Sequence, residues 1–166
     1  DDGINTAGGA DGSALGGRPG RNTFSDSGDY SLTITGGYVA VDALGDGIDS
    51  NGPIDMSDGV VLINGPTGNM NGALDYMGSF TITGGLLVAA GSSGMAQAPS
   101  ESSTQHSVIV NFPSVMAAGT LVHMEAAVGQ GVLTFAPVKD YQSIVVSSPE
   151  LANGETYAIY VGGSST

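Results

Sequence analysis

Leu32-Thr-Ile-Thr-Gly-Gly-Tyr-Val-Ala-Val41 returns twice in altered spelling, as Ile54-Asp-Met-Ser-Asp-Gly-Val-Val-Leu-Ile63 and as Phe80-Thr-Ile-Thr-Gly-Gly-Leu-Leu-Val-Ala89. Each copy reads apolar-x-apolar-x, turns on a Gly-Gly or Asp-Gly pair, and continues as an apolar strand. The copies start 22 and then 26 residues apart. A second phrase keeps the same phase upstream: Gly47-Ile-Asp49 precedes Ile54, and Ala73-Leu-Asp75 precedes Phe80. Gly3-Ile-Asn5 is its counterpart near the start, set apart from its own strand pair by an insertion over about residues 8–29. Self-similarity of this period marks stacked units, none of which buries its apolar face alone.

A unit of 22 residues has room for three short strands and three turns. The expected fold is therefore all-β: a short right-handed parallel β-helix, or solenoid, with a C-terminal antiparallel β cap. In register, Leu32, Ile54 and Phe80 share one inward column, and Ile34, Met56 and Ile82 share the next. Ile4, Ile48 and Leu74 make a third, because alternate strand residues face the same side. Gly37, Gly59 and Gly85 coincide at corners whose φ suits glycine. A leucine-rich repeat has the same period, but its Leu-x-x-Leu-x-Leu-x-x-Asn phrase and its helix-like segment are both missing.

After Pro99 the grammar changes. Val108–Phe112, Leu121–Glu125, Val132–Ala136, Ser143–Ser147 and Thr156–Val161 read as short alternating strands between turns. The expected division is residues 1–107 as stacked repeats and 108–166 as a cap packed on the last of them, blocking its edge. The N-terminal end shows no comparable cap, and the chain opens Asp1-Asp-Gly3 without an initiator Met or signal peptide. Both features lead to the expectation of a piece processed or excised from something longer.

Composition supports the β reading and narrows the partners. Glycine accounts for 28 of 166 residues, with no collagen period, and hydrophobic residues make up 40%. Sixteen acids against three Lys and Arg give a formal charge of −13, and twelve of those acids are Asp. Such a field repels nucleic acid and anionic membranes, and no apolar run approaches a membrane span. The charge serves solubility, or it is neutralised by bound divalent cations. With no Cys and only His106 and His123, thiol and zinc chemistries are out. His123 reads as an exposed or partnered strand residue, and His106 as part of a solvated loop.

The acids are more informative. Asp49 and Asp75 hold the same place in successive repeats, with Asn5 one repeat earlier. Neighbouring strands lie about 4.8 Å apart, and carboxylates at that distance must take up a proton or share a cation. Ca²⁺ is bound by several oxygens from carboxylates, amides and carbonyls. Asp46-Gly-Ile-Asp-Ser-Asn51 offers these, and Asp2 lies in phase with Asp46. The candidate metal ligands are thus Asp2, Asn5, Asp46, Asp49 and Asp75. The competing reading is a ladder of Asx turns, each Asp capping its own turn. For carbohydrate contact, Tyr76 stands out because it follows Asp75. Arg18 and Arg21 in the insertion could hold a uronate carboxylate or pair with nearby Asp26 and Asp29.

These phrases carry a resemblance. Asp1-Asp-Gly-Ile-Asn5, Gly45-Asp-Gly-Ile-Asp-Ser-Asn-Gly52, Asn71-Gly-Ala-Leu-Asp-Tyr76, Ile34-Thr-Gly-Gly37, Gly94-Met-Ala-Gln97 and the run from Thr134 to Leu151 resemble a family of secreted bacterial carbohydrate-binding domains. The resemblance extends over nearly the whole chain and corresponds to the C-terminal part of a member. It implies a pectate-lyase-like right-handed parallel β-helix, Ca²⁺ binding at the Asp-Gly-Ile-Asp and Ala-Leu-Asp-Tyr phrases, and association with plant cell-wall polysaccharide.

The function expected first is non-catalytic, Ca²⁺-dependent binding of cell-wall or acidic polysaccharide by a secreted, extracellular or cell-surface protein. The second is a self-assembling, filament-like extracellular subunit whose uncapped N-terminal repeat associates head to tail with another copy. The third is a polysaccharide lyase, which needs a base beside the metal. Only Arg18, Arg21 and Lys139 are available for that, none in the acidic column, so no catalytic residue is assigned.

Overall fold

The computed structural model of the chain describes residues 2–6, 30–127 and 129–164. Arg18, Arg21, Asp26, Asp29 and the expected insertion lie outside the described residues. The strands are β1 (Ile4–Asn5), β2 (Leu32–Asp42), β3 (Ile48–Ser50), β4 (Ile54–Asn64), β5 (Leu74–Tyr76), β6 (Phe80–Ile82), β7 (Leu86–Gly91), β8 (Ser107–Met116), β9 (Val122–Ala126), β10 (Gly131–Phe135), β11 (Tyr141–Ser147) and β12 (Tyr157–Val161).

They form three sheets. A six-stranded mixed sheet runs β2-β4-β7-β11-β8, with β6 also paired to β4. Its first three strands are parallel, and β11 and β8 are antiparallel additions. β1, β3 and β5 make a small parallel sheet, and β10, β9 and β12 a small antiparallel one.

The expected registers are present. Leu32 pairs with Ile54 and Ile54 with Phe80; Ile34 pairs with Met56 and Met56 with Ile82. Ile4, Ile48 and Leu74 line up across β1, β3 and β5. Ile54, Met56, Phe80, Ile82, Ile48 and Leu74 are buried in one cluster with Leu87, Ala89 and Val145, and Ile4 and Leu32 pack on its margin. A second cluster joins Val88, Ala90, Ile144 and Val146 to Val122, Met124 and Leu133. Alternate residues of β7 and β11 therefore serve opposite cores, which is why Ile144, Val145 and Val146 are all buried. The mixed sheet is the middle layer, with the small parallel sheet on one face and the antiparallel sheet on the other.

The all-β expectation holds, but the expected parallel β-helix with an antiparallel cap is corrected by this topology: the described strands form one mixed, one parallel and one antiparallel sheet, and no solenoid is evident. Strands assigned to the cap complete the main sheet instead. Residues Leu87–Gly91 of β7 pair one for one with Ser143–Ser147 of β11, and β8 pairs with β11 on its far side. The physical reason is the row of backbone donors and acceptors along β7. Pairing it with another strand satisfies groups that an end-on cover would leave without partners.

Two further details fix the core. The outer side of β6 is closed by the Ser/Thr-rich stretch before β8: Ser100 and Ser103 accept through their hydroxyls from the Phe80 and Ile82 N–H groups. At the corners, Gly59 and Gly85 adopt φ of +100° and +87°. A Cβ on Gly85 would also come within 2.6 Å of the Gly59 carbonyl oxygen, so the repeats approach too closely there for any side chain.

Candidate functional site

The acidic residues gather along the small parallel sheet. Asn5 pairs with Asp49 and Asp49 with Asp75, so these three side chains form one column across β1, β3 and β5. Asp2, Asp46 and Gly72 occupy the matching places in the turns just before those strands. The Asp2 carboxylate accepts from the Asp46 N–H at 2.9 Å, and the Asp46 carboxylate accepts from the Gly72 N–H at 2.6 Å. The Asn5 amide nitrogen lies between columns, donating to Asp2 at 2.9 Å and to Asp49 at 3.1 Å. Asp2 and Asp46 thus each bond the backbone of the following repeat through their carboxylates.

This arrangement is electrostatically costly. Burial pushes the Asp46 carboxyl up to about 6; the bond from Gly72 opposes the rise, and the Asp75 and Asp2 charges add to it. Asp75 is likewise raised above the ordinary carboxylate range, first by burial and then by Asp2. Among the described residues the ion pairs are Lys139 with Asp42 and His123 with Glu125, so neither compensates Asp2, Asp46 or Asp75. Lys139 also donates to the Ala43 carbonyl and is held away from the ladder.

The donor set fits a hard divalent cation in kind: carboxylate oxygens and one amide, which also carries an oxygen. Among the described residues no three His, Cys, Asp or Glu side chains are gathered into a ready metal cage. The Asp2 and Asp46 carboxylates are held on backbone N–H groups, and Asp2 and Asp49 also accept from the Asn5 amide.

The other predicted contacts are placed differently. The Tyr76 ring stands edge-on to Phe80, with centroids 5.8 Å apart, and its hydroxyl donates to the Ala98 carbonyl at 2.7 Å. It is built into the margin of the core instead of lying open as a platform. His106 is exposed, on a cleft of about 210 Å³ shared with Thr83, Thr104, Gln105, Pro149 and Leu151. None of the predicted site residues among those described lines that cleft.

A second polar cluster occupies the outer face of the antiparallel sheet. Thr134, His123 and Tyr160 lie side by side across β10, β9 and β12. The Thr134 hydroxyl is 2.8 Å from His123 Nδ1, the Tyr160 ring stacks beside the imidazole at 6.2 Å, and Glu125 Oε2 lies 3.4 Å from His123 Nε2. A hydrogen bond with Glu125 pushes the Tyr160 phenol above its usual value. The alternation Leu121-Val-His-Met-Glu125 places His123 and Glu125 on one face. Their pairing with Tyr160 depends on a strand register that no short-range pattern reveals.

No family model, curated protein or solved structure matches the chain.

Proposed function

We propose that this chain is a secreted, non-catalytic module that binds cell-wall or acidic polysaccharide in a Ca²⁺-dependent manner. The observation that carries the reading is the partial burial of Asp46 and Asp75 beside Asp2 with no cation paired to them among the described residues. Like charges placed in register across a parallel sheet are unfavourable unless a proton or a cation joins them. Asp2, Asp46, Asp49 and Asp75 would hold Ca²⁺ with the Asn5 amide oxygen. A bound ion supplies positive charge that a uronate carboxylate can meet on a surface that otherwise repels it. The residues themselves bind and orient; no imidazole or amine contacts Asp2, Asp46 or Asp75 among the described residues, and none is assigned as a base. The resemblance to secreted carbohydrate-binding domains supports the same reading.

Calorimetric titration with Ca²⁺, followed by retention on polygalacturonate with and without chelator, tests it. Heat of Ca²⁺ binding that is lost in Asp46→Ala with Asp75→Ala, and retention that needs Ca²⁺, are the expected results. Equal retention in chelator would overturn the Ca²⁺ dependence.

One observation favours a second reading, association between copies. β2 is an edge of the six-stranded sheet, pairs only with β4 among the described residues, and carries no Lys or Pro to discourage a further strand. Sedimentation at increasing concentration should then show a reversible larger species; a constant monomer removes this reading.

A further inference from the structure

We propose that the outer face of the β10-β9-β12 sheet is a separate saccharide site, one that stacks a neutral pyranose ring against Tyr160 and bonds its hydroxyls through Glu125, His123 and Thr134. It uses none of the acidic ladder, but it rests on the reading that the chain binds polysaccharide.

The face has the relief such a ligand requires. Glu125 is flanked in register by Gly131 on β10 and Ala158 on β12, so no large side chain rises on either side of its carboxylate. Next to this low shelf stands the row Thr134, His123 and Tyr160. The Tyr160 side chain is 53% exposed, although it lies over a sheet whose opposite face is packed into a core. An exposed ring beside a half-buried carboxylate, an imidazole and a hydroxyl offers an apolar face next to convergent donors and acceptors. A pyranose carries the complement: one face of C–H groups and a rim of neighbouring hydroxyls.

Its polar groups are already oriented. His123 is fixed by Thr134 on one nitrogen and Glu125 on the other, and the Tyr160 ring stacks beside it. Little side-chain freedom remains to be lost on binding. The charge selects among sugars. Glu125 accepts from hydroxyls but repels a uronate, and the formal charge of −13 adds to that repulsion. The occupant is therefore a neutral chain, unlike the acidic one that a Ca²⁺ site would favour.

The test is an amide NMR titration of the whole chain with cellohexaose, xylohexaose, mannohexaose and, separately, hexagalacturonate, each with and without chelator. At least one neutral probe should shift amides of β9, β10 and β12, with hexagalacturonate leaving them in place. Tyr160→Ala should weaken binding about tenfold or more, and Tyr160→Phe by only a few-fold, since the ring remains. Both changes are at an exposed position, and an unchanged amide spectrum elsewhere verifies the fold. Chelator should leave this binding intact, while binding of hexagalacturonate that is equal with and without chelator would defeat the ladder reading without touching this one. No shift with any neutral probe at millimolar concentration, shifts confined to the cleft at His106, or unchanged affinity in Tyr160→Ala would each overturn it.

Discussion

Asp2 and Asp46 hold each other by two bonds of opposite sense. The Asp46 N–H donates to the Asp2 carboxylate at 2.9 Å, while the Gly3 N–H, next along from Asp2, donates to the Asp46 carbonyl at 2.9 Å. Asp46 then repeats the reach toward the Gly72 N–H. The column is thus a set of staples between segments 44 and 26 residues apart, and the Asp2 and Asp75 charges add to the raised proton affinity of Asp46.

Calcium should stabilise the fold measurably. An ion that binds only the folded state contributes about 2.7 kcal/mol when free at 100 times its Kd, or about 5–10 °C in melting temperature for a chain of this size. Asp49→Ala with Asp75→Ala should abolish the difference between Ca²⁺ and chelator. Differential scanning calorimetry measures it, and superimposable wild-type curves would reduce the ladder to backbone stapling.

Without divalent cations, stability should rise on mild acidification. The Asp46 carboxyl is raised to about 6 from an ordinary 3.8, so between those values the folded chain holds a proton that the unfolded chain releases. Stability therefore increases as pH falls through that window and levels off above it. Melting in chelator should be higher at pH 5 than at pH 7, with Asp46→Asn or saturating Ca²⁺ flattening the trend. The opposite slope would show that other groups dominate.

Phe80→Ala should cost about 3–5 kcal/mol, the range for a buried aromatic truncated in a packed core. Phe80 is fully buried, stacks under Ile54 and receives the edge of Tyr76. Urea titration followed by circular dichroism measures the loss, and a change below about 1 kcal/mol would place the ring in a site that collapses easily.

Incubation with polygalacturonate and Ca²⁺ should yield no unsaturated uronate. Lys139 is engaged by Asp42 and the Ala43 carbonyl and does not reach the acidic column. A steady rise in ultraviolet absorbance would make the chain a lyase.

The repeat phrase made the parallel registers readable residue by residue, because apolar alternation allows only one phase that buries Ile54, Met56 and Phe80 together. It also placed Asn5, Asp49 and Asp75 in one column. The overall architecture was not readable from it. A repeat specifies what lies on its own neighbours and nothing about which later strand takes the last free edge. Ser143–Ser147 alternates no more distinctively than Val132–Ala136, yet one joins the main sheet and the other lies a layer away. Tyr76 was singled out for following Asp75, but neighbouring position in a strand says nothing about which way a ring turns, and Phe80 and Ala98 claim it. Tyr160 and His123 are legible as neighbours only through the antiparallel register between β9 and β12, which no local pattern encodes.

The two-sided packing of β7 and β11 has a consequence for how the molecule comes apart. A shared wall cannot be removed from one room alone: parting β7 from β11 exposes Leu87 and Val145 on one side and Val88 and Ile144 on the other. The two halves should therefore melt as one unit, and the amides linking these two strands should be the last to exchange with solvent deuterium.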